Sequence, residues 1–488
     1  MADTETSISR PGEKNLTSGP INRTLLLFAL PTLGSSVLQS LNGSINAVWI
    51  GQFLGEKALA ATTNANIIMF LMFSAVFGFG MAATILIGQS MGRRDIDAAR
   101  RVIGTAFGLF VMTSLVTMGA GWLLAPAILR LLATPPEVFP LALSYLRVIF
   151  LAMPPIFLST LLVMSLRGTG DSLTPLLFMA LASVIDVVLN PILIRGFGPV
   201  PALGIAGSAT ATLIANYVSF IGLILYVYAR DLTIRLRGRE LRYILPQPAL
   251  LRTILGKGLP MGVQVLIFST SALAMIGLVN RQGTATTAAY GAASQLWTYI
   301  QMPAMAAGAA VSAMAAQNIG AGRWDRVSQV ARAGILMNLA LTGVLILAVG
   351  LADRHVLWLF LGDDGSAIAI ARHINLVVSW SFALFGVGMV LSAVVRANGA
   401  VMVPLIILIV TVFPVRFAIA LAGLPHWGAE ALWWSFPAGS VVSLVMQTLY
   451  YRSGHWKTLR MTVPPSAMEV EEQSLADSEP AGRMHPTA

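Results

Sequence analysis

Cysteine is absent from the 488 residues, which excludes disulfides, thiol nucleophiles and thiolate metal sites. Charge is scarce: 11% of residues are Asp, Glu, Lys or Arg, less than half the roughly 25% of a soluble domain. No Walker loop and no hydrolase or metalloprotease motif is present, so neither ATP drive nor an enzyme activity is expected. The five histidines (His355, His373, His426, His455 and His485) lack metal-ligand spacing. No apolar core precedes Leu25, so the first 23 residues are not expected to be a cleavable signal peptide.

Apolar residues are abundant instead, at 56% of the chain with a mean hydropathy of +0.77. They gather in twelve runs, near 25–49, 59–88, 102–125, 141–165, 173–194, 204–228, 259–280, 286–316, 330–351, 370–395, 401–422 and 430–451. A helix needs about 20 apolar residues to cross the hydrocarbon of a bilayer. The expected fold is therefore an all-α integral membrane protein with twelve transmembrane helices, embedded in lipid and without a sizeable extramembrane domain. Pro31, Pro154, Pro155, Pro260, Pro303 and Pro414 fall inside the runs. Neighbouring helices can satisfy the backbone groups they free.

The formal net charge is +10. Its basic residues are spread over short loops, so they read as topology determinants rather than as a nucleic-acid surface. With the N-terminus inside, Arg93, Arg94, Arg100, Arg101, Arg167, the 229–258 stretch, Arg323, Arg326, Arg332 and Arg396 all fall on the cytoplasmic side. Both termini are then cytoplasmic. The expected division is an N-terminal arm (1–23), an N-lobe of six spans (24–228), a basic linker (229–258), a C-lobe of six spans (259–451) and a polar, disordered tail (452–488).

The two halves repeat. GQSMGRRDID answers AQNIGAGRWD, pairing Gln89 with Gln317 and Gly92 with Gly320 at an offset of 228. RGTGDSLTP answers RANGAVMVP, pairing Arg167 with Arg396, Gly170 with Gly399 and Pro175 with Pro404 at an offset of 229, which Pro31 and Pro260 share. An even number of spans per copy means a parallel repeat, two six-helix bundles related by an axis along the membrane normal. A solute path is expected at their interface.

These paired signatures, over roughly residues 20–455, resemble the multidrug and toxic compound extrusion (MATE) family. The resemblance implies a secondary active efflux transporter that moves small organic solutes, often cationic or amphiphilic, against H+ or Na+ by alternating access. It implies no cofactor, a monomer, and a bacterial inner membrane. Two rivals are a related lipid or polysaccharide flippase and a major facilitator-type exporter. The latter's loop carries an acid ahead of its basic pair, whereas here Asp95 follows Arg93 and Arg94. A membrane protein that binds or regulates without transporting is a third, and would have no need of a buried acid.

One acid, Asp186, falls near the middle of a span, where a charge costs about 2.5–3.5 kcal/mol on insertion scales and marks function by default. Asn190 lies four residues on, so both share one helix face. The segment is similar to that of the DNA-damage-inducible (DinF-like) branch with Asn and Asp exchanged. The family's first-span acid falls at Asn46 and its sixth-span Thr at Thr212. The resemblance thus implies a cation or coupling site of Asp186, Asn190, Asn46 and Thr212, whose oxygens would hold Na+ or whose carboxylate would take a proton. The C-lobe acids of another branch fall at Phe268 and Phe385, which argues against a second cation site. Arg416, Gln39, Gln264 and Gln295 are candidate cavity residues. Arg416 either pairs across the cavity, attracts anionic groups or snorkels to the surface, whereas Arg147 reads as a snorkelling residue. Met69, Phe70, Met72, Phe73, Met275 and Met305 are candidates for an adaptable lining.

Overall fold

The computed structural model describes residues 15–199, 201–362, 365–459, 461 and 463. The first fourteen residues of the arm and most of the expected disordered tail lie outside them; the described start of that tail is ordered, with His455–Thr458 in a 3-10 turn and Trp456 buried. Fifteen α-helices make twelve rods among the described residues. The N-terminal half comprises α1 (Ile21–Leu54), α2 (Glu56–Gly92), α3 (Ile96–Leu131), α4 (Phe139–Leu151), α5 (Met153–Thr169), α6 (Leu173–Arg195) and α7 (Ile205–Ala229). The C-terminal half comprises α8 (Pro248–Val279), α9 (Thr284–Gly320), α10 (Trp324–Leu361), α11 (Gly365–Val378), α12 (Ser381–Ala397), α13 (Met402–Val410), α14 (Ala418–Trp427) and α15 (Glu430–Ser453). A π-helical turn, Thr411–Phe417, joins α13 to α14 in one rod.

The fourth and tenth rods are broken. α4 meets α5 at 49° and α11 meets α12 at 42°. Pro154 and Pro155 explain the first break, since neither can donate to the preceding turn. With each bent pair counted once, ten rods are long and apolar enough to cross a membrane. The other two, α9 and α15, have 37 and 24 residues. α9 is rich in Ala and Gly and buries Ser312, Gln317 and Asn318 against its neighbours, so it meets protein where the other rods meet lipid. At 1.5 Å per residue a 37-residue helix is about 55 Å long, so α2 and α9 reach beyond a hydrocarbon layer of about 30 Å.

The halves exchange their leading segments. Leu25, Phe28 and Ala29 of α1 pack with Ala307, Val311 and Val394 of the other half. In return, Leu250, Ile254 and Met261 of α8 pack with Ile85 and Ile103. Small residues let the halves approach: a Cβ on Gly78 of α2 would strike the backbone of Gly258 and Gly262 on α8. That pair forms a G-x-x-x-G face. The repeated loops have matching backbones, with Gly170 at φ 97° and Gly399 at φ 94°, a left-handed conformation that only glycine adopts freely.

The connection between halves is shorter than the 229–258 expected, because α8 begins at Pro248 and takes Arg252 and Lys257 into a helix. A 3-10 turn, Gly238–Ile244, docks on α3. There Arg100 Nη1 meets Glu240 Oε1 at 2.5 Å and the Tyr243 hydroxyl donates to Asp97 Oδ1 at 2.8 Å. Burial and the Asp97 carboxylate push that hydroxyl up to about 12, so it remains a donor at neutral pH.

Candidate cation site and the seam between halves

Asp186 is 2% exposed in the middle of α6, and four neutral donors converge on it. Oδ2 accepts from Asn42 Nδ2 at 2.9 Å and Asn46 Nδ2 at 2.7 Å, both on α1. Oδ1 accepts from the Thr212 hydroxyl of α7 at 3.1 Å and Asn190 Nδ2 at 3.4 Å. Asn190 also donates to Asn46 Oδ1 at 3.0 Å. Tyr145 of α4 lies within electrostatic reach of the carboxylate. Three of the rods therefore supply one buried nest, as the helical spacing requires: Asn42 and Asn46, like Asp186 and Asn190, are four residues apart and share a face.

No basic side chain is within salt-bridge distance of Asp186 among the described residues. The carboxylate is solvated by amide and hydroxyl dipoles alone. Two acceptors in the same nest, Asn42 Oδ1 and Asn190 Oδ1, are buried without a donor. Such orphans are costly and call for an occupant. One negative charge ringed by carbonyl and hydroxyl oxygens suits one monovalent cation. No group of three or more His, Asp or Glu side chains that could hold a metal ion occurs among the described residues.

The four expected members of the site thus come together, joined by Asn42, which sequence reasoning missed. Its signal was the second polar position one turn ahead of Asn46. The other candidates lie elsewhere. Gln264 Oε1 accepts from Arg396 Nη1 at 3.3 Å, near the end of α12. Gln39 is exposed on α1 and Gln295 half-buried on α9. Met275 is fully buried in the C-terminal core and Met305 is exposed. Arg147 stacks on Trp122, 4.7 Å from the ring centre. Where the resembled branch has acids, Phe268 and Phe385 pack as a pair with centroids 5.9 Å apart. Arg416 lies on the π-helical turn, folded over the Phe436 ring at 3.6 Å.

A reciprocal seam joins the halves on the side that carries both ends of the described chain. Gln89 Nε2 donates to Ala397 O at 2.7 Å, and Gln317 Nε2 donates to Gly168 O at 3.1 Å. Each glutamine reaches the carbonyl that follows the other half's repeated arginine. Gly92 faces the Gln317 carbonyl and Gly320 the Gln89 carbonyl, so closely that a Cβ at either glycine would overlap it. The chain start caps this seam: Leu16 N donates to Gln317 Oε1 at 3.0 Å, and Arg326 Nη2 donates to Gly19 O at 2.7 Å.

Two sequence-related halves of six rods, with a buried polar nest in one and a seam between them, define a multi-pass membrane transporter. A solved structure described as the outward-facing conformation of a multidrug resistance MATE family transporter of the MOP superfamily matches with a TM-score of 0.85 at 20% identity. That match covers 92% of this chain and 99% of the other. The MatE family model matches residues 31–192 and 260–421, one copy per half, and the chain belongs to that family of multidrug efflux transporters. Members need no cofactor and are not enzymes. Probable multidrug resistance protein YoeA of Bacillus subtilis is 36% identical over 442 residues, 90% of this chain and 95% of that one. A protein named FAD transporter from Shewanella oneidensis is 28% identical over 324 residues, 64% and 69% of the two chains.

Proposed function

We propose that the chain exports amphiphilic organic solutes, cationic ones included, in exchange for one monovalent cation, H+ or Na+, bound at Asp186. Its place is a bacterial inner membrane, as a monomer with both termini cytoplasmic. The observation that carries this reading is the nest itself, a buried carboxylate with neutral donors, two orphaned oxygens and no counter-charge. Neutralising Asp186 removes a costly buried charge. It also frees the Thr212 hydroxyl to turn fully to Ser208 O, at 3.3 Å, its alternative acceptor on α7. Cation arrival therefore changes how α1, α6 and α7 are tied together, a coupling between charge and packing that two states can exploit.

The seam supports alternating access by two lobes, α1–α7 and α8–α15. With the termini inside, the closed face is cytoplasmic and the cavity opens outward. Opening inward requires parting Gln89 from Ala397 and Gln317 from Gly168, the same two bonds in each lobe. The orientation agrees with the basic side chains Arg323 and Arg326 beside the seam.

The test is efflux of a fluorescent organic cation from proteoliposomes carrying the purified protein, run separately under an inward H+ gradient and an inward Na+ gradient. One of the two is expected to accelerate efflux. Equal rates with both gradients and with neither would overturn coupling.

A further inference from the structure

We propose that Arg416 is the anion-binding centre of the substrate site, receiving a carboxylate or phosphate group of an aromatic solute, so that the natural cargo is an organic acid or zwitterion. This deepens the transport reading above and rests on it. Arg416 is a half-buried guanidinium in a membrane span, where such a charge faces a partner or a water-filled path. No carboxylate of the described residues lies within salt-bridge distance of it. Its one side-chain hydrogen bond among the described residues is from Nη1 to Ser271 Oγ at 3.5 Å, the limit of such a contact. Its Nε is buried with no acceptor at all. The charge is held, yet unanswered.

The surroundings hold it in place. The guanidinium is stacked on Phe436 at 3.6 Å, a contact that fixes its plane and leaves its Nη1 and Nη2 end, not the buried Nε, to bind a carboxylate or phosphate through two parallel bonds. Behind Phe436 stand Trp297, 5.2 Å away, and Tyr290, 5.6 Å from Trp297, both buried in the C-terminal core, so the ring under the guanidinium is itself backed by packed rings. The arginine is presented from a π-helical turn that contains Pro414, an irregularity that occurs mostly at functional sites. At the repeat offset it stands beside the counterpart of Asp186. The two lobes thus carry opposite charges at neighbouring positions, and an anionic group is drawn to the lobe that does not bind the coupling cation.

Three xanthene dyes separate the charge of the ligand from its shape: fluorescein, an anion; rhodamine B, a zwitterion with a free carboxylate; and rhodamine 6G, a cation with its carboxylate esterified. Equilibrium binding to the purified protein in phosphatidylcholine nanodiscs needs no gradient, so it is independent of whether Asp186 couples transport. Arg416→Gln is expected to weaken fluorescein and rhodamine B by at least about tenfold, the worth of a charged hydrogen bond. It should leave rhodamine 6G within about twofold, and Arg416→Lys should restore part of the loss. Asp186→Asn should still bind both carboxylate dyes, so a failure of coupling and a failure of this site are told apart. Equal losses for all three dyes, or none, would overturn the proposal. So would loss of carboxylate-dye binding when phosphatidylglycerol replaces part of the lipid, which would give the site to a headgroup rather than to cargo.

Discussion

The two halves repeat the same order of six rods and have parted in chemistry. α6 carries Asp186 in a nest of amides and a hydroxyl. The matching stretch of the C-terminal half carries Arg416, on a π-helical turn beside aromatic rings, and Phe268 packs with Phe385 nearby in the sequence pattern of the repeat. The seam, by contrast, is nearly symmetric: Gln89 answers Gln317, Gly92 answers Gly320, and Gly170 and Gly399 share a left-handed turn. A duplicated scaffold has to stay alike where its copies touch each other, because each bond there is made twice. It is free to diverge where each half faces ligand.

The largest way to break this comparison is Asp186→Asn. In a drug-sensitive bacterial host it is expected to abolish the resistance the wild type confers while leaving the amount of membrane protein unchanged, since a costly buried charge has gone. Immunoblot and growth inhibition read the two quantities. Resistance equal to wild type would move the coupling site elsewhere.

Next in size are Gly92→Val and Gly320→Val, each of which drives a side chain into the carbonyl of the opposing glutamine. Both should prevent the seam from closing and cut transport by about tenfold or more, since neither backbone can withdraw cheaply. A cysteine introduced at Ser90, fully buried beside the seam, should label slowly in the parent and quickly in both variants. The natural absence of cysteine makes the readout clean. Unequal effects of the two valines would show that the seam is less symmetric than its bonds.

A sharper test exchanges the nest's own members. Asn190 reaches both Asp186 and Asn46, so a carboxylate moved to position 190 stays within the same cluster. Asp186→Asn combined with Asn190→Asp is expected to recover about a tenth or more of the transport lost in the single variant. A double variant that is folded and inactive would fix the carboxylate's role to position 186. The smallest effect belongs to Thr212→Val, which removes one of four donors, worth about 1 kcal/mol and so about fivefold in rate at most.

How much of this was legible in the sequence follows from which interactions are local. The twelve rods show because burial in lipid demands long apolar runs, and of the two that hydropathy alone undercounts, α9 is the one buried along most of its length. Asp186 and Asn190 were legible through one misplaced charge and helical spacing, whereas Asn46 and Thr212 came only through the family resemblance. Asn42 carried the same i, i+4 signal with Asn46, and its membership shows only in the fold, where α1 lies against α6 and Asn42 Nδ2 reaches Asp186. The seam was not legible as geometry. The paired glutamines stood out as a repeat, but their acceptors are backbone carbonyls of the opposite half, which no side-chain pattern marks. Gln264 was assigned by polarity alone, and the structure gives it to Arg396.

The central claim is that one carboxylate, in one half only, couples transport to a cation. It is tested most directly by the ratio of gradient-driven to gradient-free dye flux in proteoliposomes, for wild type, Asp186→Asn and Phe268→Ala. The account predicts a ratio well above one for wild type and for Phe268→Ala, and a ratio of one for Asp186→Asn. A ratio for Asp186→Asn equal to that of wild type, with the protein folded and reconstituted at the same level, would contradict it.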